Sequence, residues 1–241
     1  RKSGNSWVVH TPAKLNLFLE VLGKRDDGFH ELETLMVTVN LFDTLVFTQE
    51  PSAGVSLRCF NAGTALRQDA AAGVDRGCLK TDAADQSSAS MDVPEGRDNL
   101  AVRAAELLRS KTGTQQSVHI DLFKRIPAAA GLAGGSSDAA ATLFALNRIW
   151  GLNLGLGELQ KIASEIGSDV SFFLSPSPTA LCLGRGEVLR PVASPFRLHF
   201  VIAKPVSGLS TARVFQHCRP EATPRHATSL IESLQRGDLC Q

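Results

Sequence analysis

A run of small residues, Lys124-Arg125-Ile126-Pro127-Ala128-Ala129-Ala130-Gly131-Leu132-Ala133-Gly134-Gly135-Ser136-Ser137-Asp138, is the stretch of this chain best suited to chemistry. It follows a predicted strand and opens a predicted helix. Glycine lets the backbone come close to a ligand, and successive amide N–H groups at a helix N-terminus form an anion site. Phosphate is the natural guest. Ser136 and Ser137 stand where they can cap the helix, touch that phosphate or help hold Mg2+. The run matches neither common nucleotide loop. A Walker loop needs a lysine before the serine, and Gly131, Gly134 and Gly135 do not make GxGxxG. A small-residue helix start that lets strand and helix pack tightly is the other reading, and the run alone leaves both open.

Those groups need elements to position them. Trp7 to Leu22 alternates at period two and predicts a half-buried strand, as does Leu35 to Val46, with Lys24 to Gly28 as the turn between them. Val55 to Phe60 is a third extended piece. Residues 61–94 are rich in Ala, Gly, Asp and Ser and are expected to form an inserted, mobile surface loop. Asp98-Asn99 then caps a helix to about Lys111, and Val118, Ile120 and Leu122 alternate as a strand up to Lys124. Helices are predicted from Ser136 to about Trp150 and from Gly157 to Ile166, stopped at Gly167. Leu181–Val192 and Leu198–Ala203 are predicted strands. Ser210–His217 begins a helix, and the chain is expected to end inside another.

The chain has 241 residues, 43% hydrophobic and 20% charged, with a mean hydropathy of 0.00, the profile of a soluble globular protein. The length suits one large domain, or one domain and part of a second. Twenty-five basic and 24 acidic residues leave a net charge of +1, which argues against nucleic-acid and membrane-surface partners. Cys59, Cys78, Cys182, Cys218 and Cys240 form no CxxC and no zinc-type pairing, so neither a disulfide framework nor a structural metal is expected, and a reducing cytoplasm fits best. The weakly charged stretch Pro127–Leu146 is broken by Gly-Gly-Ser-Ser-Asp and is too polar at its centre to span a bilayer. It could imitate a secretory apolar region, but it lies mid-chain. Because the chain starts at Arg1, its true N-terminus is expected upstream.

Five segments, in this order, resemble the GHMP kinase superfamily: Pro12-Ala13-Lys14-Leu15-Asn16-Leu17; Asp27-Gly28-Phe29-His30; Pro127 to Ala140; Ile166-Gly167-Ser168-Asp169-Val170; and Ser210-Thr211-Ala212-Arg213-Val214-Phe215. They are most similar to the branch that acts on a cytidine-diphosphate-linked methylerythritol on the non-mevalonate route to isoprenoid precursors. The resemblance implies an α+β fold with two domains. A ribosomal protein S5 domain 2-like N-terminal domain would span 1–195, and a ferredoxin-like C-terminal domain would begin at 196–241 and be incomplete. It implies an ATP- and Mg2+-dependent transfer of phosphoryl to the 2-hydroxyl of 4-(cytidine 5'-diphospho)-2-C-methyl-D-erythritol, a small-molecule substrate.

By the same resemblance Asp169 is the general base and Lys14 the catalytic lysine. An ammonium beside a carboxylate would keep it ionised and stabilise developing negative charge. Taken alone, Asp169 is equally a turn or capping aspartate, and Lys14 a solvated strand residue. Asn16 and His30 match substrate hydrogen-bonding positions. Phe29 and Phe215 match the two sides of a sandwich around the cytosine ring, and Thr211, one turn before Phe215, matches a substrate contact. An isolated Phe is more often core. The loop from Pro127 to Ser137 would hold the triphosphate, while Asn99, Leu100 and Lys124 resemble the adenosine side.

Three departures stand out. Phe29 replaces a frequent Tyr, Ala133 replaces a loop glycine, and the chain stops at Gln241 before the superfamily's third, Gly-Ser-Gly-like motif. A truncated protein is therefore expected. The rival readings are a homoserine- or mevalonate-type kinase of the same superfamily and a non-catalytic nucleotide-binding module. Direct transfer is expected, since no nucleophile is set beside a base.

Overall fold

Two long strands, each 19 residues, carry most of the N-terminal chemistry. The structure is a computed structural model that describes residues 2–3, 6–51, 54–61, 96–194, 197–205, 208 and 211–238, without the side chains of 2, 3 and 211–213. Its elements are β1 (Lys2–Ser3), β2 (Ser6–Lys24), β3 (His30–Thr48), β4 (Val55–Asn61), α1 (Leu100–Thr112), β5 (Val118–Lys124), α2 (Gly134–Ile149), α3 (Leu156–Ile166), α4 (Ser168–Phe173), β6 (Thr179–Gly184), β7 (Val188–Pro191), α5 (Thr211–His217) and α6 (Thr228–Arg236). Beyond Asn61, the expected 61–94 loop lies outside the described residues, as do Cys78, Cys240 and Ser210.

β3 is the hub. It runs antiparallel to β2 along its length; Leu32–Val37 pairs with β6 and Thr44–Thr48 with β5. β4 lies parallel to β5, so the chain between them must cross over, and α1 lies on that crossover. β7 closes a hairpin with β6.

The helices build the main core against one face of the sheet. Leu45, Phe47, Ile120 and Leu122 pack with Leu108 of α1, Leu143 and Leu146 of α2, and Ile162 of α3. The neighbours Leu35 and Met36 are both buried yet point to opposite faces: Met36 meets Phe172 of α4, and Leu35 meets Leu234 of α6. This stretch of β3 is therefore covered on both sides, and not half-buried as its alternation suggests. β5 keeps strict alternation, with Val118, Ile120, Leu122 and Lys124 all inward. Lys124 thus delivers a charge to the core side.

Four expectations need correction. Helix α2 begins at Gly134, before Ser136, because Ala133 takes the N-cap position in a left-handed conformation at φ 55°. The predicted strand Leu181–Val192 is a hairpin, broken where Gly184 and Gly186 adopt positive φ. Leu198–Ala203 is irregular, since no neighbouring strand among the described residues offers it a ladder. The final helix ends at Arg236, where left-handed Gly237 returns its N–H to Ser233 O. Among the described residues after 196, Ala227 and Leu234 share a core with Leu35 and Val192 of the preceding chain.

Candidate active site

The β5–α2 loop roofs a cleft of about 1220 Å³. Lys14 and Asn16 enter it from β2, Phe29 and His30 from the β2–β3 turn, Ser168 and Asp169 from α4, and Phe215 from α5. Two register shifts in β2, at Pro12/Ala13 and Asn16/Phe18, bracket Lys14 and Asn16. Such bulges re-aim side chains, and residues two apart share a strand face. The Lys14 amide leaves the ladder to donate to Leu132 O at 3.1 Å, which ties β2 to the loop.

Lys14 Nζ lies 3.6 Å from Asp169 Oδ2 and donates to Asn16 Oδ1 at 2.6 Å. Asn16 Nδ2 donates in turn to Thr34 Oγ1 at 2.7 Å, and Thr34 to Phe18 O. The ammonium is nearly buried, whereas the carboxylate keeps 31% of its side-chain surface open. This is a fixed cation beside a carboxylate that a ligand can reach.

In the loop, Ala129, Gly131 and Ala133 all take positive φ, so the chain reverses tightly before α2. The first amide of α2 to find a backbone partner is that of Ser137, which donates to Ala133 O. Gly134, Gly135 and Ser136 precede it, and a helix leaves such first-turn amides without carbonyl partners. Gly134 is required for space: a Cβ there would lie 2.9 Å from Ile126 Cγ2 and 3.1 Å from Lys124 Nζ.

Ser137 does not do what the sequence suggested for its hydroxyl. It is fully buried, donates to Pro12 O at 2.6 Å and meets the Thr11 hydroxyl, so it fastens α2 to β2. Ser136 is the half-exposed serine of the pair, and it lines the cleft.

Beneath the loop lies a buried charge cluster that the sequence reading did not identify. The Lys124 ammonium bonds to Asp43 and, at 2.8 Å, to Asp138 Oδ2. Asp43 Oδ1 also accepts the amides of Arg125 and Ile126, which sets the exit from β5. Burial, reinforced by the Asp43 carboxylate and opposed by Lys124, pushes the Asp138 carboxyl up to about 7. Burial works against the Lys124 charge, but the two carboxylates outweigh it and hold that pKa above its ordinary value. Asp138 Oδ1 is buried without a hydrogen-bond partner. The inward parity of Lys124 was the available signal; Asp138 closes the same small-residue run, whereas Asp43 is 81 residues away in sequence.

The remaining predicted positions sort as follows. Pro127, Ala128, Ala130 and Leu132 line the cleft with the rest of the loop. Asn99 is the N-cap of α1, its Oδ1 accepting from Ala101 N at 2.9 Å, and Leu100 packs beside Gly135. Phe29 is half-exposed, and the Asp27 carboxylate accepts its amide, a bond that holds the Asp27 carboxyl below its usual range. Phe215 stacks on His30 at 5.3 Å between centroids, and Phe29 lines the same cleft. The ring of Phe29 is met by Arg185, whose guanidinium carbon stands 4.5 Å from the centroid. Arg185 carried no motif; the Gly184-Arg185-Gly186 turn was its only mark. The side chain of Thr211 lies outside the described residues. Among the described residues no cluster of three or more His, Cys, Asp or Glu side chains could hold a metal, and no helix is long and apolar enough to cross a membrane.

Residues 99–176 match the family of GHMP kinases N terminal domains. Over 233 residues the chain is 41% identical to a 4-diphosphocytidyl-2-C-methyl-D-erythritol kinase of Shouchella clausii (strain KSM-K16), covering 96% of this chain and 68% of that protein. The chain belongs to this kinase family. A second member, from Bacillus pumilus (strain SAFR-032), is 42% identical over 228 residues, covering 94% of this chain and 68% of its own length. A crystal structure of a 4-(cytidine 5'-diphospho)-2C-methyl-D-erythritol kinase superposes with a TM-score of 0.68 at 33% identity, covering 96% of this chain and 72% of that one. A homoserine kinase from Cytophaga hutchinsonii, at 14% identity and a TM-score of 0.55, shares the fold and nothing narrower. The α+β GHMP kinase fold expected from the five motifs is thus the fold of the family.

Proposed function

We propose that the chain transfers phosphoryl from ATP to the 2-hydroxyl of 4-(cytidine 5'-diphospho)-2-C-methyl-D-erythritol, a step toward isoprenoid precursors. The observation that carries the reading is the Lys14–Asp169 pair at 3.6 Å, in the same cleft as the first-turn amides of α2. Family membership supplies the substrate class.

Phosphoryl transfer asks a protein for positioning, charge stabilisation and a route for the hydroxyl proton. The amides of Gly134, Gly135 and Ser136, at the positive end of a 16-residue helix, suit the phosphates of ATP. Gly134 packs without a Cβ against Ile126 and Lys124, which seats the start of α2 directly beneath the loop. The half-exposed Ser136 hydroxyl at the cleft would help hold Mg2+ together with phosphate oxygens and water. When bound, the ion neutralises phosphate charge. Asp169 accepts the proton as the substrate oxygen bonds to the terminal phosphorus and the bond from that phosphorus to the bridging oxygen breaks, with ADP as the leaving group. Lys14 places a positive charge 3.6 Å from that carboxylate and offsets negative charge on the transferring group. Asn16 holds the ammonium in place, and Phe29, His30 and Phe215 form an aromatic side of the cleft suited to a pyrimidine.

The test is a phosphorylation assay of the full chain with ATP, Mg2+ and the cytidine diphosphate alcohol, run beside mevalonate and homoserine. Turnover confined to the cytidine compound supports the reading. Preference for either rival, or ATP binding without transfer to any of the three, overturns it.

A further inference from the structure

We propose that Arg185 grips the diphosphate linking the nucleoside to the alcohol, and thereby selects a nucleoside-diphosphate-linked polyol over a free one; the assignment rests on the function proposed above. Arg185 stands at the tip of the β6–β7 hairpin, between Gly184 at φ 74° and Gly186 at φ 109°. Its own N–H donates to Glu187 Oε2 at 2.6 Å, and the Gly186 amide to Leu183 O at 3.0 Å, so the turn is closed by its own bonds. The turn is also seated on the reaction centre. A Cβ on Gly186 would lie 3.6 Å from Ser168 Cβ, the residue before Asp169.

The side chain reaches the other way, to the ring of Phe29. One face of the guanidinium is covered by that ring, while its edge carries the N–H donors. Arg185 lines the cleft and makes no ion pair with a carboxylate among the described residues. Asp27 feels its charge, but the contacts of Asp27 go to Arg25 at 3.2 Å and to the Phe29 amide. The other cations are committed differently. Lys14 pairs with Asp169 and Lys124 is buried between two aspartates, whereas Lys24 lines the cleft as a point charge.

The order of groups follows from chemistry. A base stacked near Phe29 and a hydroxyl at Asp169 are the two ends of one molecule, and its diphosphate lies between them. Arg185 is a charged fork held against Phe29, on a turn whose next residue, Gly186, lies beside Ser168. A guanidinium binds phosphate oxygens through paired N–H bonds and stays protonated throughout.

The experiment measures steady-state kinetics and calorimetric binding of cytidine, cytidine monophosphate and cytidine diphosphate to the full chain and to Arg185→Ala, Arg185→Gln and Arg185→Lys. In the Ala and Gln variants, KM for the cytidine diphosphate alcohol should rise about tenfold, with kcat and the KM for ATP nearly unchanged, and Lys should fall between. The preference for cytidine diphosphate over cytidine should collapse in the same two variants. Equal weakening of cytidine and its diphosphate would mean that Arg185 only props Phe29, and would overturn the proposal. So would a preference lost in Lys24→Ala but kept in Arg185→Ala. Binding needs no turnover, so the two readings separate. An Arg185-dependent diphosphate preference in a chain that phosphorylates nothing supports this assignment while refuting the reaction. Normal turnover with an unmoved KM in Arg185→Ala does the reverse.

Discussion

Lys14 and Asp169 meet at 3.6 Å although one comes from the second strand and the other from a six-residue helix far along the chain. The contact is asymmetric, with a buried ammonium braced by Asn16 facing a carboxylate open to the cleft. That asymmetry suits a base whose partner must stay still while substrate approaches. Asp169→Asn should lower turnover at least about 100-fold, the lower range for losing a general base, with ATP affinity retained. Lys14→Met should also lower turnover. Stopped-flow transfer rates with parallel ATP titration check both, and a near-normal rate in Asp169→Asn removes it from the role of base.

Gly134→Ala and Gly135→Ala separate space from composition in the loop. At Gly134 the new methyl meets Ile126 Cγ2 at 2.9 Å and Cβ at 3.1 Å, and Ile126 is fully buried with little room to yield. Overpacking of this kind costs about 1–3 kcal/mol. At Gly135 the nearest atom is Leu100 Cδ1 at 3.4 Å, an ordinary contact, and alanine favours the helix by about 1 kcal/mol. Urea unfolding should therefore show Gly134→Ala destabilised and Gly135→Ala equal to or above the parent. A reversed order would mean that α2 does not start at Gly134.

The Asp43–Lys124–Asp138 cluster predicts a pH signature. Burial raises the Asp138 carboxyl to about 7 from an unfolded value of 3.8. Between about pH 4 and 7 the folded chain keeps a proton that the unfolded chain has released, so this group's contribution to stability falls as pH rises through that window. Asp138→Asn removes the effect while keeping the shape. Its stability relative to the parent should rise from pH 5 to pH 8, measured as urea midpoints. A difference that is flat or falls with pH contradicts the raised carboxyl.

Cys182 should be inert. Burial, helped by the Asp169 charge and opposed by Lys14, pushes its thiol up to about 12, so almost no thiolate exists at pH 8. Cys59 and Cys218 are partly exposed. Maleimide labelling of the folded chain read by mass spectrometry should mark those two and spare Cys182 until denaturant is added. Labelling of Cys182 at the rate of Cys218 would show that the region around Asp169 opens.

Much of the site was legible as local pattern. Period-two alternation marked β2, β3 and β5, the Asp98-Asn99 pair marked the start of α1, and the glycines marked the loop. Each of these is decided within a few residues, by strand parity, capping or backbone freedom. The split of Leu181–Val192 was harder to see, because two glycines at positive φ interrupt an otherwise strand-like run. The absence of a strand at Leu198–Ala203 had no local signal, because pairing needs a neighbour.

By itself the amino-acid sequence determined which residue types were available, the approximate place of most helices and strands, and, through five ordered motifs, the kinase family. Tertiary structure alone decided who meets whom. It turned Ser137 inward to fasten β2, paired Phe215 with His30, enclosed Lys124 between Asp43 and Asp138, and laid Arg185 over Phe29. Propensity and capping act over a handful of bonds, whereas these contacts join distant segments and exist only once the sheet register has brought their strands and turns together.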